Sequence, residues 1–138
     1  MQNVIERNGW LWPAIDIYGF NAVSEEVKEI HKVIDHCKSR DVAVQAGGNC
    51  GLMITPLADA FARVYTFEPD PLNFYCLAHN VPQQNVFKMQ ACLGAENGTV
   101  SMLLCESNTA AHHVAGSHKG PRGYGPVRTR PKGARRPP

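Results

Sequence analysis

The stretch Asp41-Val42-Ala43-Val44-Gln45-Ala46-Gly47-Gly48-Asn49-Cys50-Gly51 decides the fold. A short, largely apolar run followed by glycines reads as a buried parallel strand entering a tight loop. Leu52 to Ala62 then predicts a helix. Pro56 marks either its start, with Thr55 as N-cap, or a kink within it. Working downstream, Arg63-Val64-Tyr65-Thr66-Phe67 reads as a second strand, ending at Glu68-Pro69-Asp70-Pro71. Asp70 before Pro71 opens another helix. That helix carries Leu72, Phe74, Tyr75, Leu77 and Ala78 and ends near Asn80-Val81-Pro82. Residues 85–90 form a third predicted strand, and residues 99–105 a fourth, antiparallel one.

Upstream, a helix is predicted over residues 24–37. Ser24 is a suitable N-cap, and Glu25 and Glu26 fall where the helix dipole favours acids. Val23, Val27, Ile30, Ile34 and Cys37 make one apolar stripe of helical period. His31 and His36 lie off it and are given no metal role. Residues 1–22, with Gly9-Trp10-Leu11-Trp12-Pro13, read as an irregular arm whose two tryptophans pack on the domain. Strands and helices alternating at this spacing mean βαβ units, a parallel sheet and right-handed crossovers.

The 138 residues suit one domain. An apolar share of 43% against 19% charged residues excludes disorder along the whole chain. No apolar run approaches the roughly 18 residues needed to span a bilayer, and the N-terminus lacks a signal-peptide pattern, so a cytoplasmic location is expected. Cys37, Cys50, Cys76, Cys92 and Cys105 are odd in number and lack Cys-x-x-Cys spacing. They read as reduced thiols packing as small hydrophobes, and no metal site is expected.

Charge is unevenly placed. Residues 117–138 hold seven cations and no acid; the whole chain has 14 cations and 12 acids, so residues 1–116 carry 7 and 12, a net of −5. Five of the ten prolines and four of the twelve glycines also lie in that tail. The expected division is an arm over 1–22, an α/β domain over 23–116 and a disordered basic tail over 117–138.

The chemistry is expected where the first strand ends. Glycines let a ligand approach the backbone, and a helix N-terminus offers unpaired N–H groups. Glu68 follows Gly47 by 21 residues, at the tip of the second strand. A carboxylate there can accept both hydroxyls of a ribose, which suits an adenosine-containing ligand. NAD and S-adenosylmethionine share this layout. The dinucleotide pattern wants G-x-G-x-x-G, whereas Gly47 and Gly51 stand four apart, and Gly48 with Gly51 matches only its second half.

Four segments together resemble FkbM-type S-adenosylmethionine-dependent methyltransferases over about residues 40–105. Val44-Gln45-Ala46-Gly47-Gly48-Asn49-Cys50-Gly51 is similar to the family's Val-Asp-Val-Gly-Ala-Asn-x-Gly. Val64-Tyr65-Thr66-Phe67-Glu68-Pro69-Asp70-Pro71 is similar to its Val-x-x-Phe-Glu-Pro-x-Pro. Asn73-Phe74, Leu77 and Asn80 match its next helix, and Ala91-Cys92-Leu93-Gly94 through Gly98-Thr99-Val100 its Ala-x-Leu-Gly … Gly-Thr-Val.

The resemblance implies a truncated Rossmann-like methyltransferase fold, with parallel sheet order 3-2-1, flanking helices and an added antiparallel strand. It implies S-adenosylmethionine as cofactor and methyl transfer to oxygen. The backbone around Gly47, Gly48, Asn49 and Gly51 would hold the methionine portion, Glu68 the ribose, and Pro69, Asp70, Gln90 and Ala91 would flank the adenine, with Gln45 a further cofactor-binding position. The sequence departs from the family at Gln45, where the family has Asp, and loses a charge that favours a cationic cofactor. It also lacks the family's later Asp-x-Glu-Gly motif, so a truncated or frame-shifted half is expected. The methyl acceptor and the general base stay unassigned. His79 reads as a helix-end residue; His112 and His113 could face the cleft, but adjacent histidines in a loop read first as solvated.

Three functions compete: the methyltransferase, a non-catalytic cofactor-binding remnant or subunit completed by another chain, and a nucleic-acid binder acting through the tail. With Tyr124 as its one aromatic, the tail offers little base stacking, and nucleic acid is the less favoured partner. No membrane partner is expected. The unpaired edge of the first strand suggests a homo-oligomer.

Overall fold

The computed structural model describes residues 3–105 and 107–115, and the backbone of 127–129. Its elements are β1 (Val4–Arg7), β2 (Trp10–Pro13), α1 (Gly19–His36), β3 (Val42–Ala46), α2 (Ile54–Ala60), β4 (Arg63–Phe67), α3 (Pro71–Asn80), β5 (Val86–Met89), β6 (Met102–Cys105), a 3-10 turn at Thr109–Ala111, β7 (His113–Val114) and β8 (Val127–Thr129).

The expected α/β architecture stands. β3, β4 and β5 form a parallel sheet in that order, with Val44 opposite Tyr65 and Tyr65 opposite Phe87. The sheet has three parallel strands with helices packed on it in a Rossmann-like arrangement, and β3 lies at one edge. Ile34 of α1, Ile54 and Leu57 of α2, and Leu77 of α3 meet Val64 and Val86 in one apolar core. Ala43 packs against the same core. The expectation that the first parallel strand is buried is corrected: no residue of β3 is buried, and on the face away from the core Val42, Val44 and Phe87 stay exposed, with Tyr65 stacked on Phe87 at 5.0 Å between ring centroids.

Helix α3 follows its sequence signal closely. Asp70 Oδ1 accepts the N–H groups of Leu72 and Asn73, both at 2.9 Å, and Pro71 sits where no N–H is needed. Helix α2 follows neither reading of Pro56. It begins at Ile54, so Pro56 falls in the first turn, where a missing N–H breaks no helical bond.

Three further expectations are corrected. Residues 1–22 are not an irregular arm. β1 and β2 form a hairpin, turned by Asn8 (φ 51°) and Gly9 (φ 81°). Both residues adopt the left-handed conformation that an Asn-Gly hairpin turn requires. Asn80 clamps the hairpin to α3: its Oδ1 accepts Leu11 N–H at 2.8 Å, and its Nδ2 donates to Leu11 O at 2.8 Å.

Second, α1 starts at Gly19, not at Ser24, so the boundary drawn at residue 22 falls inside a helix. Asp16 Oδ1 accepts the Gly19 N–H at 2.6 Å, while Ser24 Oγ donates to Phe20 O within the helix. The stripe also ends early: Val23 and Ile34 are buried, but Cys37, just past the helix, is exposed.

Third, the antiparallel strand does not extend the parallel sheet. β6 lies between β7 and β8 in a separate three-stranded sheet. β8 belongs to the tail expected to carry no regular structure. The remainder of that tail lies outside the described residues. Among the described residues no helix is long and apolar enough to cross a membrane.

Candidate functional site

A cavity of about 310 Å³ opens at the carboxyl ends of β3 and β4. That is near the lower bound of small-molecule and cofactor sites, about 300–1,000 Å³. Gln45, Gly47, Gly48, Asn49, Glu68 and Pro69 line it, six of the ten residues the sequence nominates. The other four stand elsewhere. Gly51 packs against α3. Asp70 caps that helix. Gln90 and Ala91 are exposed beyond β5, while their neighbours Cys92 and Leu93 form the wall instead.

The glycine loop takes its shape from β4. The N–H groups of Gly47 and Gly48 both donate to Phe67 O, at 2.8 and 2.9 Å. Asn49 N–H donates to Glu68 Oε2 at 2.7 Å, and Gly51 N–H to Gly48 O at 3.0 Å. The loop was expected to offer free N–H donors; these four are spent inside the protein. Gly48 has no alternative, since a Cβ there would lie 2.5 Å from Thr66 Oγ1.

Gln45 is placed by the same network. Thr66 Oγ1 donates to its Oε1 at 3.1 Å, and its Nε2 donates to Gly47 O at 2.9 Å. An Asp at this position could not make the second bond, because a carboxylate only accepts.

Glu68 is 4% exposed, and its Oε1 accepts Asp70 N–H at 2.9 Å. Burial pushes its carboxyl above the ordinary value of 4.5, against the lowering effect of the two backbone N–H groups it accepts. A raised folded value makes protonation favour the folded chain. This contribution is full below 4.5 and is lost as pH rises through the raised value. Urea unfolding over a pH series from about 4 to 8 should therefore show a steeper loss of stability with rising pH for wild type than for Glu68→Gln. Equal slopes would mean that the carboxyl is not perturbed.

The far wall comes from the second half of the chain. Met102 of β6, Thr109 and Ala110 of the 3-10 turn, and Val114 of β7 all face the cavity. So do His112 and His113, the less favoured of the two placements the sequence left open for them. His112 Nε2 lies 3.1 Å from Cys105 O, and Nδ1 lies 3.8 Å from Asp70 Oδ2. His113 Nδ1 lies 3.0 Å from Ala111 O. Helix α1 adds Val23 and Glu26, and α2's N-cap adds Met53.

His79 lies in the last turn of α3 and does not line the cavity. Burial, then the Glu68 charge, pushes the Cys92 thiol above its ordinary value, so it meets a ligand as a neutral group. Cys50 in the loop is fully buried, and burial likewise pushes its thiol up. The five cysteines are free.

Among the described residues the cavity has two carboxylates, Glu26 and Glu68, and no lysine or arginine on its wall. Asn49 Oδ1 is buried with no hydrogen-bond partner there. Two carboxylates and an unpartnered acceptor, with four of the loop N–H groups already used, suit a ligand carrying positive charge and donors.

No protein-family model and no curated protein matches the chain. Its structure is similar to that of M. jannaschii TYW2 in complex with AdoMet, at 22% identity and a TM-score of 0.49, over 64% of this chain and 42% of that one. It is also similar to Trm5b from Pyrococcus abyssi, at 16% identity and 0.47, over 62% and 27%. A third similarity is to P. horikoshii TYW2 in complex with MeSAdo, at 18% and 0.48, over 70% and 38%. The chain spans less than half the length of each.

Proposed function

We propose that this chain forms the cofactor-binding half of an S-adenosylmethionine-dependent methyltransferase of the FkbM type, acting on an oxygen acceptor. The observation that carries the reading is the state of the glycine loop. A dinucleotide's pyrophosphate needs free backbone N–H groups at this loop. Those of Gly47, Gly48, Asn49 and Gly51 are all donated internally, and the wall carries Glu26 and Glu68. A cation is favoured here and a diphosphate is not.

The residues fit the cofactor. Glu68 accepts the Asn49 and Asp70 N–H groups and is also bonded by the Asn73 side chain, which leaves about one of four carboxylate acceptor positions for a ribose hydroxyl. Asn49 Oδ1 offers an acceptor to a ligand donor. Gly47, which a Cβ would leave without a contact within 4 Å, presents bare backbone to the cavity. Phe67, Pro69 and Leu93 supply apolar wall for the adenine. When bound, the cofactor supplies an activated methyl group on a sulfonium. The protein's part is to hold the donor and align an acceptor with it.

Calorimetric titration tests the reading. Wild type should bind S-adenosylmethionine saturably and NAD weakly or not at all. Glu68→Ala should lose more than about tenfold in affinity, because a charge-assisted hydrogen bond contributes about 1.5–3 kcal/mol. Circular dichroism on the variant separates lost binding from lost fold. Equal binding of both ligands, or NAD binding alone, would overturn the assignment.

A further inference from the structure

We infer that Glu26 of α1 is a specificity-determining residue: it holds the ammonium group of the cofactor's methionine and thereby sets preference for the intact amino-acid-bearing ligand over its truncated thioether. The inference rests on the S-adenosylmethionine reading above and deepens it.

Three observations lead to Glu26. The first is its position. Val23 and Glu26 are separated by one helical turn and so share a face of α1. Val23 is buried in one cluster with Cys50 and Leu52, which belong to and follow the glycine loop. Both Val23 and Glu26 line the cavity. Helix α1 therefore presents this carboxylate on the face that packs against the loop.

The second is its availability. Glu68 is held by two backbone N–H groups, whereas Glu25 pairs with Lys28 at 3.0 Å and Glu29 with Lys32 at 2.7 Å. The Glu26 side chain makes no hydrogen bond or ion pair among the described residues, and the residue is exposed. It is the carboxylate of α1 that both reaches the cavity and is free to accept a ligand's charge.

The third is the need for it. Gln45 brings no charge, and its amide is engaged at both ends by Thr66 and Gly47. With Glu68 given to the ribose, Glu26 is the other carboxylate on the cavity wall among the described residues. A carboxylate entering from α1 restores the charge complement from a different element.

The test compares two ligands. S-adenosylmethionine carries the ammonium, and methylthioadenosine keeps the adenosine and the sulfur but lacks the amino-acid portion. Glu26→Gln should weaken S-adenosylmethionine binding about three- to tenfold, with methylthioadenosine binding unchanged. The wild-type preference should shrink as salt rises, since an exposed pair is screened. Glu29→Gln, which removes an acid one turn on that does not line the cavity, should change neither affinity. Unchanged S-adenosylmethionine binding in Glu26→Gln would overturn the inference and leave the cofactor reading intact. Equal weakening of both ligands would also overturn it, by showing a general effect on the site. Failure of wild type to bind either ligand would sink the cofactor reading, and this inference with it.

Discussion

An Asp16→Ala chain is expected to lose about 3–5 kcal/mol of stability, because burying an unsatisfied polar group costs about 1–3 kcal/mol and several are left at once. Asp16 is fully buried. Its carboxylate accepts four hydrogen bonds: Trp12 Nε1 at 3.0 Å, Gly19 N–H at 2.6 Å, Thr109 N–H at 3.1 Å and Thr109 Oγ1 at 2.6 Å. Three separate pieces of the protein meet on it: the hairpin through Trp12, the start of α1 through Gly19, and the cavity wall through Thr109. Removing the carboxylate leaves all four donors facing apolar surroundings that include Trp12 and Phe20, whose rings stand edge to face at 5.1 Å. The measurement is urea unfolding, read as a lower midpoint at unchanged slope. Ligand affinity should fall too, since Thr109 is part of the wall. A loss below about 1 kcal/mol would show that the donors find other partners and that the hub does not hold these segments together.

Gly51→Ala should cost about 2–5 kcal/mol, from two sources that add. The residue sits at φ +100°, a conformation costing an L-residue about 1–2 kcal/mol. A Cβ there would also lie 2.5 Å from Val81 Cγ2 and 3.2 Å from Leu77 Cδ1, and overpacking costs about 1–3 kcal/mol. Neither neighbour can give way easily, because Leu77 and Val81 are fully buried in the core under the sheet. Gly47→Ala is the control. It shares the left-handed backbone at φ +85°, but its Cβ would meet nothing within 4 Å. It should lose only the conformational part. A similar loss at both positions would mean that Gly51 is needed for its backbone alone, and that α3 does not press on the loop.

These two residues show how far a sequence reading extends. The strand–loop–helix unit at Asp41–Ala62 and the strand ending at Glu68 are legible because apolar runs, glycines and a Pro-flanked cap are local signals. So is α3, whose Asp70-Pro71 start needs no distant partner. The hairpin also carries a local signal: Asn8-Gly9, between Val4-Ile5-Glu6-Arg7 and Trp10-Leu11-Trp12, is a turn pair. The start of α1 was masked by a better-looking cap at Ser24, because Asp16 acts from three residues before the helix.

The sequence by itself determined the α/β alternation, the loop at the carboxyl end of the first parallel strand and the acid that closes it. Each follows from periodicity and spacing within a few turns of chain. Only the tertiary structure decided what the polar groups do. Asp16 and Thr109 are 93 residues apart, and their bond exists because α1 and the 3-10 turn pack against each other. Gly51 moved from ligand contact to helix packing, and the loop's N–H groups were spent on Phe67, Glu68 and Gly48. His112 and His113 reached the cavity wall, and Glu26 joined them from α1. A hydrogen-bond donor or a charge has no preferred partner in the sequence. Its partner is whichever group the packed chain brings within reach, and that is set by burial across the whole domain.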